Sequence, residues 1–277
     1  MRAKGTALQH TRQQNKLVGY TVKISRRLRG AVTRRVLGTT THVLTQDPVA
    51  ALTFDDGPHP EFTPRLLSIL KRHSAHATFF MVGEAVSKYP DVVRQVVEGE
   101  HAIGNHYWDH PSFPLISGRE RRTQIRACTS AIAPYGGQRL FRPPYGHQSL
   151  ASRLDAWWLG YRVLTWNVTA EDWLDRDAGW MADRLVNQIR PGSVVVLHDN
   201  ICRSIQVTPQ HDRQQMLAAV DMTLERLRAR FHFVTIPELL RHGCPQKRAW
   251  YRRAGPELSP LLNRHLLLAG SDGRHEG

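Results

Sequence analysis

Two adjacent carboxylates, Asp55 and Asp56, end an apolar run (Val49, Ala50, Ala51, Leu52) and are followed at once by Gly57-Pro58. Neighbouring carboxylates at a strand end repel each other. Such a pair is easiest to keep where a cation lies beside it, or where the two acids have different partners. Alone, Asp-Asp-Gly reads equally as an acidic surface turn. His106 and His110 stand at i and i+4, a spacing that puts two imidazoles on one face of a helical turn, as a metal site requires. A chain with 15 His also contains chance pairs, and His73 and His76 read as one. With one carboxylate added, His106 and His110 become a two-His, one-carboxylate set with open positions. Zinc hydrolases and non-haem iron oxygenases both use that set. His198 follows the apolar run Val194–Leu197 and has the near-neutral reference pKa of a general acid. The alternative is a core histidine bonded to a backbone carbonyl. Arg142 precedes Pro143-Pro144, whose restricted backbone suits a fixed wall; a solvated loop charge is the other reading.

Several elements must bring these residues together. The apolar pattern predicts strands at Val49–Phe54, Ala77–Val82, Ala102–Asn105, Arg139–Phe141, Tyr161–Trp166, Val194–Leu197 and Phe231–Thr235. Helical patterns fall between them, at Pro64–Lys71, Pro90–Glu98, Gly118–Ala133, Ser149–Trp158, Ala178–Ile189, Arg213–Arg230 and Pro237–Arg241. Strands alternating with helices are the signature of a parallel α/β fold. The unusual polar groups then lie at the C-terminal ends of strands: Asp55-Asp56, His106 and His110, Arg142, Asp172-Trp173, and His198-Asp199. Side chains at that end of a parallel barrel converge on one mouth, where such folds keep their chemistry. The iron oxygenases that share the donor set sit in β-sandwich barrels, and the βα alternation argues against them.

The formal charge of +14 suggests nucleic acid until it is located. Residues 1–46 hold ten Lys/Arg and no acid, and residues 241–277 hold seven Lys/Arg against three acids. Residues 47–240 hold 21 of each. A neutral centre argues against a nucleic-acid enzyme with a basic groove, and the basic ends ask for an acidic partner. Three domains are expected: a basic extension over 1–46, a catalytic domain over 47–241 and a basic tail over 242–277. In the first, Leu17, Thr21, Ile24, Leu28, Ala31 or Val32, and Val36 fall at helical spacing among Lys and Arg. That amphipathic pattern is expected either to contact a membrane peripherally or to remain a packed or loose tail. Cys128, Cys202 and Cys244 are odd in number and widely spaced, which provides neither a disulfide framework nor a thiolate zinc site. No apolar leader segment and no run near the ~18 residues of a membrane span is present, so a cytoplasmic protein is expected.

The order TFDDGPH, NHYWDH, RPPYG, EDW and VLHD resembles the polysaccharide deacetylase family, the NodB-homology group of carbohydrate esterase family 4. The resemblance covers about residues 49–241. It implies a distorted (β/α) barrel of about seven strands, in agreement with the pattern. It also implies a hydrolase that removes an N-acetyl group from an N-acetylated sugar, whether chito-oligosaccharide, polysaccharide or lipid-linked glycan. O-deacetylation of a polysaccharide and deformylation of a lipid-linked amino sugar are alternatives that the same site could serve, and a non-catalytic sugar-binding module is the contrasting class. The implied cofactor is a divalent metal, zinc by family habit with Co2+ or Ni2+ as alternatives, on Asp56, His106 and His110. Asp55 is the implied base toward a metal-activated water, and Arg142 keeps it ionised. The Tyr145 backbone N–H is implied to help hold the oxyanion, beside Pro143. Asp172 pairs with His198, which protonates the leaving amine, and Trp173 and Leu197 line the pocket for the acetyl methyl. Two positions depart from the family pattern. Tyr107 stands where Ser or Thr is usual, and Thr169 stands where an acid often precedes Asp172. Neither removes a ligand or a proton carrier.

Overall fold

The structure is a computed structural model, and it describes residues 35–201 and 212–248. The amphipathic pattern at 17–36 falls almost wholly outside the described residues, as does most of the tail.

The apolar run at residue 49 becomes β2 (Val49–Asp55), buried along its whole length. A strand covered on both faces must be apolar on both, which explains why the run does not alternate. β2 pairs in parallel with β3 (Ala77–Met81) on one side and β8 (Val194–His198) on the other, and its first residues pair with β9 (His232–Phe233). Beyond β3 come β4 (Ala102–Asn105), β5 (Leu140–Phe141) and β6 (Arg162–Val163), while β7 (Val168–Thr169) follows β8. The path is β6-β5-β4-β3-β2-β8-β7, parallel throughout. Among the described residues no ladder joins β6 to β7, although they are neighbours in the chain. The sheet therefore curls into a half-barrel, the distorted α/β barrel that the resemblance implies.

Strand alternation splits the core into two layers. Leu52, Phe54, Phe79, Val195 and Leu197 point outward and pack with Leu66, Leu70, Val93, Met181, Leu185 and Val220 from the surrounding helices. Val49, Ala51, Phe80, Leu140 and Val194 fill the inside of the barrel. By the same alternation Thr53, Asp55, Val196 and His198 face inward. The helices follow their sequence signals closely. The helix Phe62–Arg72 ends in Lys71 and Arg72, cations suited to the negative end of the helix dipole. The helix Pro90–Glu98 starts on a proline, where the missing N–H costs nothing. The helix Leu150–Trp158 opens with a reciprocal Ser149–Ser152 cap.

The expected strand Tyr161–Trp166 is shorter than predicted, spanning only Arg162–Val163. Beyond it the chain crosses the open edge: Leu164 bridges to Thr40, and the Thr165 N–H donates to the Thr40 carbonyl at 2.9 Å. That contact belongs to β1 (Thr39–Leu44), which pairs antiparallel with β10 (Cys244–Arg248) in a separate two-stranded ribbon. Both strands fall in stretches assigned from sequence to the basic extensions. The ribbon packs on the entrance to β8, where the Val43 N–H donates to the Gly192 carbonyl. Gly192 has φ +78, and a Cβ there would lie 1.8 Å from the Val43 carbonyl oxygen, so only glycine fits. No helix among the described residues is long and apolar enough to cross a membrane.

Candidate active site

At the C-terminal end of β2 the two aspartates part company. Asp55, inward-facing and buried, accepts a 2.6 Å bond from Arg142 Nη1. Asp56 takes a left-handed backbone (φ 73) that turns it toward the histidines. Its Oδ1 lies 3.3 Å from His106 Nε2 and 3.2 Å from His110 Nε2. His106 follows β4 on its inner face, and His110 comes from the loop beyond, itself left-handed at φ 61. All three are buried, and one ligand atom from each lies within 4.8 Å of the others. His106 Nδ1 lies 2.8 Å from the Arg142 carbonyl oxygen. That bond places a proton on Nδ1 and leaves the Nε2 lone pair facing Asp56, the arrangement by which a metal-binding histidine is usually oriented. Two imidazoles and one carboxylate converging in a buried space suit a divalent metal such as zinc. Burial pushes the Asp56 carboxyl toward higher pKa, but His110, His106 and His198 outweigh it and hold the group well below the usual range.

Arg142 lies inside the barrel with no exposed surface. Its Nη1 also donates to Thr53 Oγ1 at 2.7 Å, and its Nη2 donates to the Thr165 carbonyl at 3.1 Å. The guanidinium is stacked on Phe80, 4.1 Å from the ring centre, with Trp166 at 5.7 Å. Such a planar cation, bonded in its plane and stacked on its face, is fixed in direction. A solvated loop charge, the alternative reading of Arg142, is therefore excluded. Pro143 is buried behind it, and Tyr145 follows with φ 56, its ring edge-on to His110 at 4.5 Å.

Across the mouth, His198 ends β8. Its backbone N–H donates to Asp172 Oδ2 at 2.8 Å and its Nδ1 lies 3.1 Å from Asp172 Oδ1. Burial lowers the His198 pKa, but Asp172, with Asp56 and Asp55 behind it, raises it to about 9. The core-histidine alternative, with a carbonyl partner, does not describe this residue. Trp173 stands edge-on to the imidazole at 5.5 Å. Asp172 is itself braced by Arg213, buried at the start of the helix Gln214–Leu227, whose Nη1 donates to the Asp172 carbonyl at 2.9 Å and approaches Oδ2 at 3.4 Å. Nothing in the local sequence marks Arg213. It stands at a helix start like many other arginines, and its partner is far away in the chain.

Three placements differ from expectation or add to it. Leu197, expected in the methyl pocket, points into the helix layer with Phe54 and Leu52. Adjacent residues of a strand face opposite sides, so Val196, two before His198, occupies the inward face instead. Tyr107, where a hydroxyl residue is usual, adopts φ 80 and packs its ring between Phe113 and Phe141; its hydroxyl makes no hydrogen bond among the described residues. The loop is held instead by Asn105, whose Oδ1 accepts the Tyr107 N–H at 2.9 Å and whose Nδ2 donates to the Ile125 carbonyl. Asp199 does not join the metal donors. It turns under Gly57, where Thr63 donates to it at 2.5 Å, and burial lifts its carboxyl to about 7.

The family model for polysaccharide deacetylase matches residues 42–164. The chain is 36% identical over 201 residues to a chitooligosaccharide deacetylase of Azorhizobium caulinodans, covering 70% of this chain and 95% of that one. It is 33% identical over 201 residues to a peptidoglycan-N-acetylglucosamine deacetylase of Bacillus cereus, covering 71% and 70%. Among solved structures, a peptidoglycan N-acetylglucosamine deacetylase in complex with 4-naphthalen-1-yl-N-oxidanyl-benzamide aligns with a TM-score of 0.67 at 29% identity, over 76% of this chain and 95% of that one. The peptidoglycan deacetylase PdaC of Bacillus subtilis aligns with a TM-score of 0.63 at 29% identity, over 79% and 98%. Fold and site together define a deacetylase of the α/β half-barrel class. The chain belongs to the polysaccharide deacetylase family.

Proposed function

We propose that this protein is a metal-dependent N-deacetylase acting on an N-acetylglucosamine-containing glycan. The observation that carries the proposal is the division of labour between two neighbouring acids. Arg142 engages Asp55, two imidazoles engage Asp56, and the Asp172–His198 pair faces both. Asp56, His106 and His110 would hold the metal, with zinc favoured and cobalt or nickel suited to the same donors; when bound it would activate water and polarise the acetamide carbonyl.

Asp55 uses Oδ1 for Arg142, which leaves Oδ2 to accept the proton of the attacking water. The fixed guanidinium holds the Asp55 carboxylate in place for that step. The Tyr145 backbone N–H assists the developing oxyanion beside the Pro143 wall. An amine leaves an amide only when protonated. His198, its Nδ1 engaged by Asp172, delivers that proton from Nε2, after which acetate and the free amino sugar depart. Trp173 and Val196 bound the space for the acetyl methyl, with Val196 replacing Leu197 in that role. The relatives named for chitooligosaccharide and peptidoglycan N-acetylglucosamine point to N-acetylglucosamine-containing chains as the first substrates to try.

The test is acetate release from N-acetylglucosamine oligomers and peptidoglycan fragments by the zinc-loaded protein, with metal content measured on the same samples. Wild type should release acetate, Asp55→Asn should retain metal without activity, and Asp56→Ala should lose both. Metal retained by Asp56→Ala, or no acetate from any N-acetylated sugar, would overturn the reading.

A further inference from the structure

The helix Leu150–Trp158 buries Ser152, Arg153, Asp155 and Ala156 against the domain. Its other face is exposed and apolar: Leu150 (50%), Leu154 (45%), Trp157 (54%) and Trp158 (66%). These positions recur at i, i+4, i+7 and i+8, which makes one stripe along the helix. Among the described residues, Trp157 and Trp158 are the only tryptophans more than half exposed. Desolvating such a stripe is favourable for any apolar partner, so a contiguous patch of this kind marks a contact surface.

What covers it is indicated by charge. Arg126 lies over the Trp158 ring at 5.6 Å. Arg162 follows the helix and is exposed. Arg153, on the helix itself, donates to the Leu37 and Gly38 carbonyls and so ties down the point where residues 1–34 depart. Lys247 donates to the Arg35 carbonyl at 2.7 Å, and Arg248 is exposed beside it. Partial burial, and then the nearby charges of Arg162, Arg153 and Arg35, hold Lys247 below its ordinary pKa. The one acid of the helix, Asp155, is buried and neutralised by Arg121 at 2.7 Å and Arg122 at 2.6 Å.

We infer that this helix face, with the cations that border it, is the surface by which the protein docks on an anionic lipid bilayer. Tryptophan and leucine enter the headgroup and acyl boundary, while Arg and Lys meet the anionic headgroups. The alternatives fit less well. Residues 1–34 contain only basic charges, so the like charge around the patch repels them. A glycan would stack on a shared ring platform, but consecutive residues of a helix project about 100° apart, and two leucines offer no stacking surface to a sugar. The docking surface is separate from the residues assigned to catalysis.

The experiment uses the full chain and co-sedimentation with vesicles of phosphatidylcholine alone or mixed with phosphatidylglycerol, with and without added salt. Wild type should partition onto the anionic vesicles, less so in salt. Trp157→Gln/Trp158→Gln should weaken that partition by about tenfold or more. Arg162→Glu/Arg248→Glu should remove the preference for the anionic lipid, and this second variant carries the test if the first does not fold, as judged by its thermal melt. Equal binding of wild type and both folded variants overturns the inference, as does equal binding to neutral and anionic vesicles. It is also overturned if the wild type binds insoluble glycan but no vesicle, or if the wild type is a dimer in solution that the tryptophan variant dissolves. The same holds if the fluorescence difference between wild type and the tryptophan variant is already blue-shifted and quencher-resistant without lipid, which would place another part of the chain on the patch. None of these outcomes bears on acetate release, so the inference can fail while the proposed function stands.

Discussion

His106 and His198 sit in nearly matching places. Each stands on the inward face at the C-terminal end of a parallel strand, His106 buried and His198 partly so, and each uses Nδ1 to bond a partner from a neighbouring element. They differ in that partner. His106 meets a backbone carbonyl, which can only accept, so its Nδ1 carries the proton and Nε2 is left as a donor of electrons. His198 meets the Asp172 carboxylate, which stabilises a second proton and raises the pKa to about 9. One oxygen atom on a carbonyl or on a carboxylate thus separates a candidate metal ligand from a candidate proton donor.

The largest expected effects test the two halves by removal. Asp55→Asn, which keeps the shape and loses the basicity, should cost about 10³-fold or more in kcat with metal content unchanged. His198→Ala should cost about 10²–10⁴-fold with metal likewise retained, whereas His106→Ala should remove the metal itself. A His198→Ala protein that keeps full activity would break the comparison.

A smaller effect sharpens it. Asp172→Asn converts the carboxylate partner into a neutral amide, so the His198 titration, read by NMR of the ring protons, should fall from about 9 toward the ordinary 6.5. The sign follows from linkage. A histidine whose pKa is raised by folding stabilises the folded state fully below the unfolded value of 6.5, and that contribution is lost as pH rises through about 9. The metal-free wild type should therefore lose stability between those values, measured by denaturant melts, and Asp172→Asn should lose much of that slope. A slope unchanged by the substitution would reassign it to another group.

The smallest effects separate the two faces of β8. Val196→Phe should raise KM for acetylated oligomers or abolish their turnover while the fold persists. Leu197→Ala should instead cost about 2–5 kcal/mol of stability and leave KM nearly unchanged. The reverse pattern would return Leu197 to the pocket.

This last pair shows where sequence reading succeeds and stops. The strands buried on both faces announce themselves as apolar runs, and the polar residues that interrupt the runs at one end form the candidate site. Parity is also legible in principle, since counting back by two from His198 reaches Val196, but a resemblance places motifs and not faces. Arg213 was not legible, because a buried brace for Asp172 differs from a surface arginine only through a distant contact. Nor were β1 and β10. Cys244–Arg248 is polar and contains proline, and its pairing with Thr39–Leu44 joins opposite ends of the sequence, so no local period reveals it. Residues Val168–Thr169 form a strand too short for any pattern.

The β1–β10 ribbon has a consequence for the chain that flanks it. Its register sets Thr39 against Arg248, so the segments before residue 35 and after residue 248 start from adjacent points on one side of the domain. A strand pair that joins the two ends of the described chain closes the catalytic fold into one loop, so those ends cannot separate without breaking the ladder. Cutting the ribbon's pairing would then loosen the ends of the fold before it disturbed the site at the far ends of the strands.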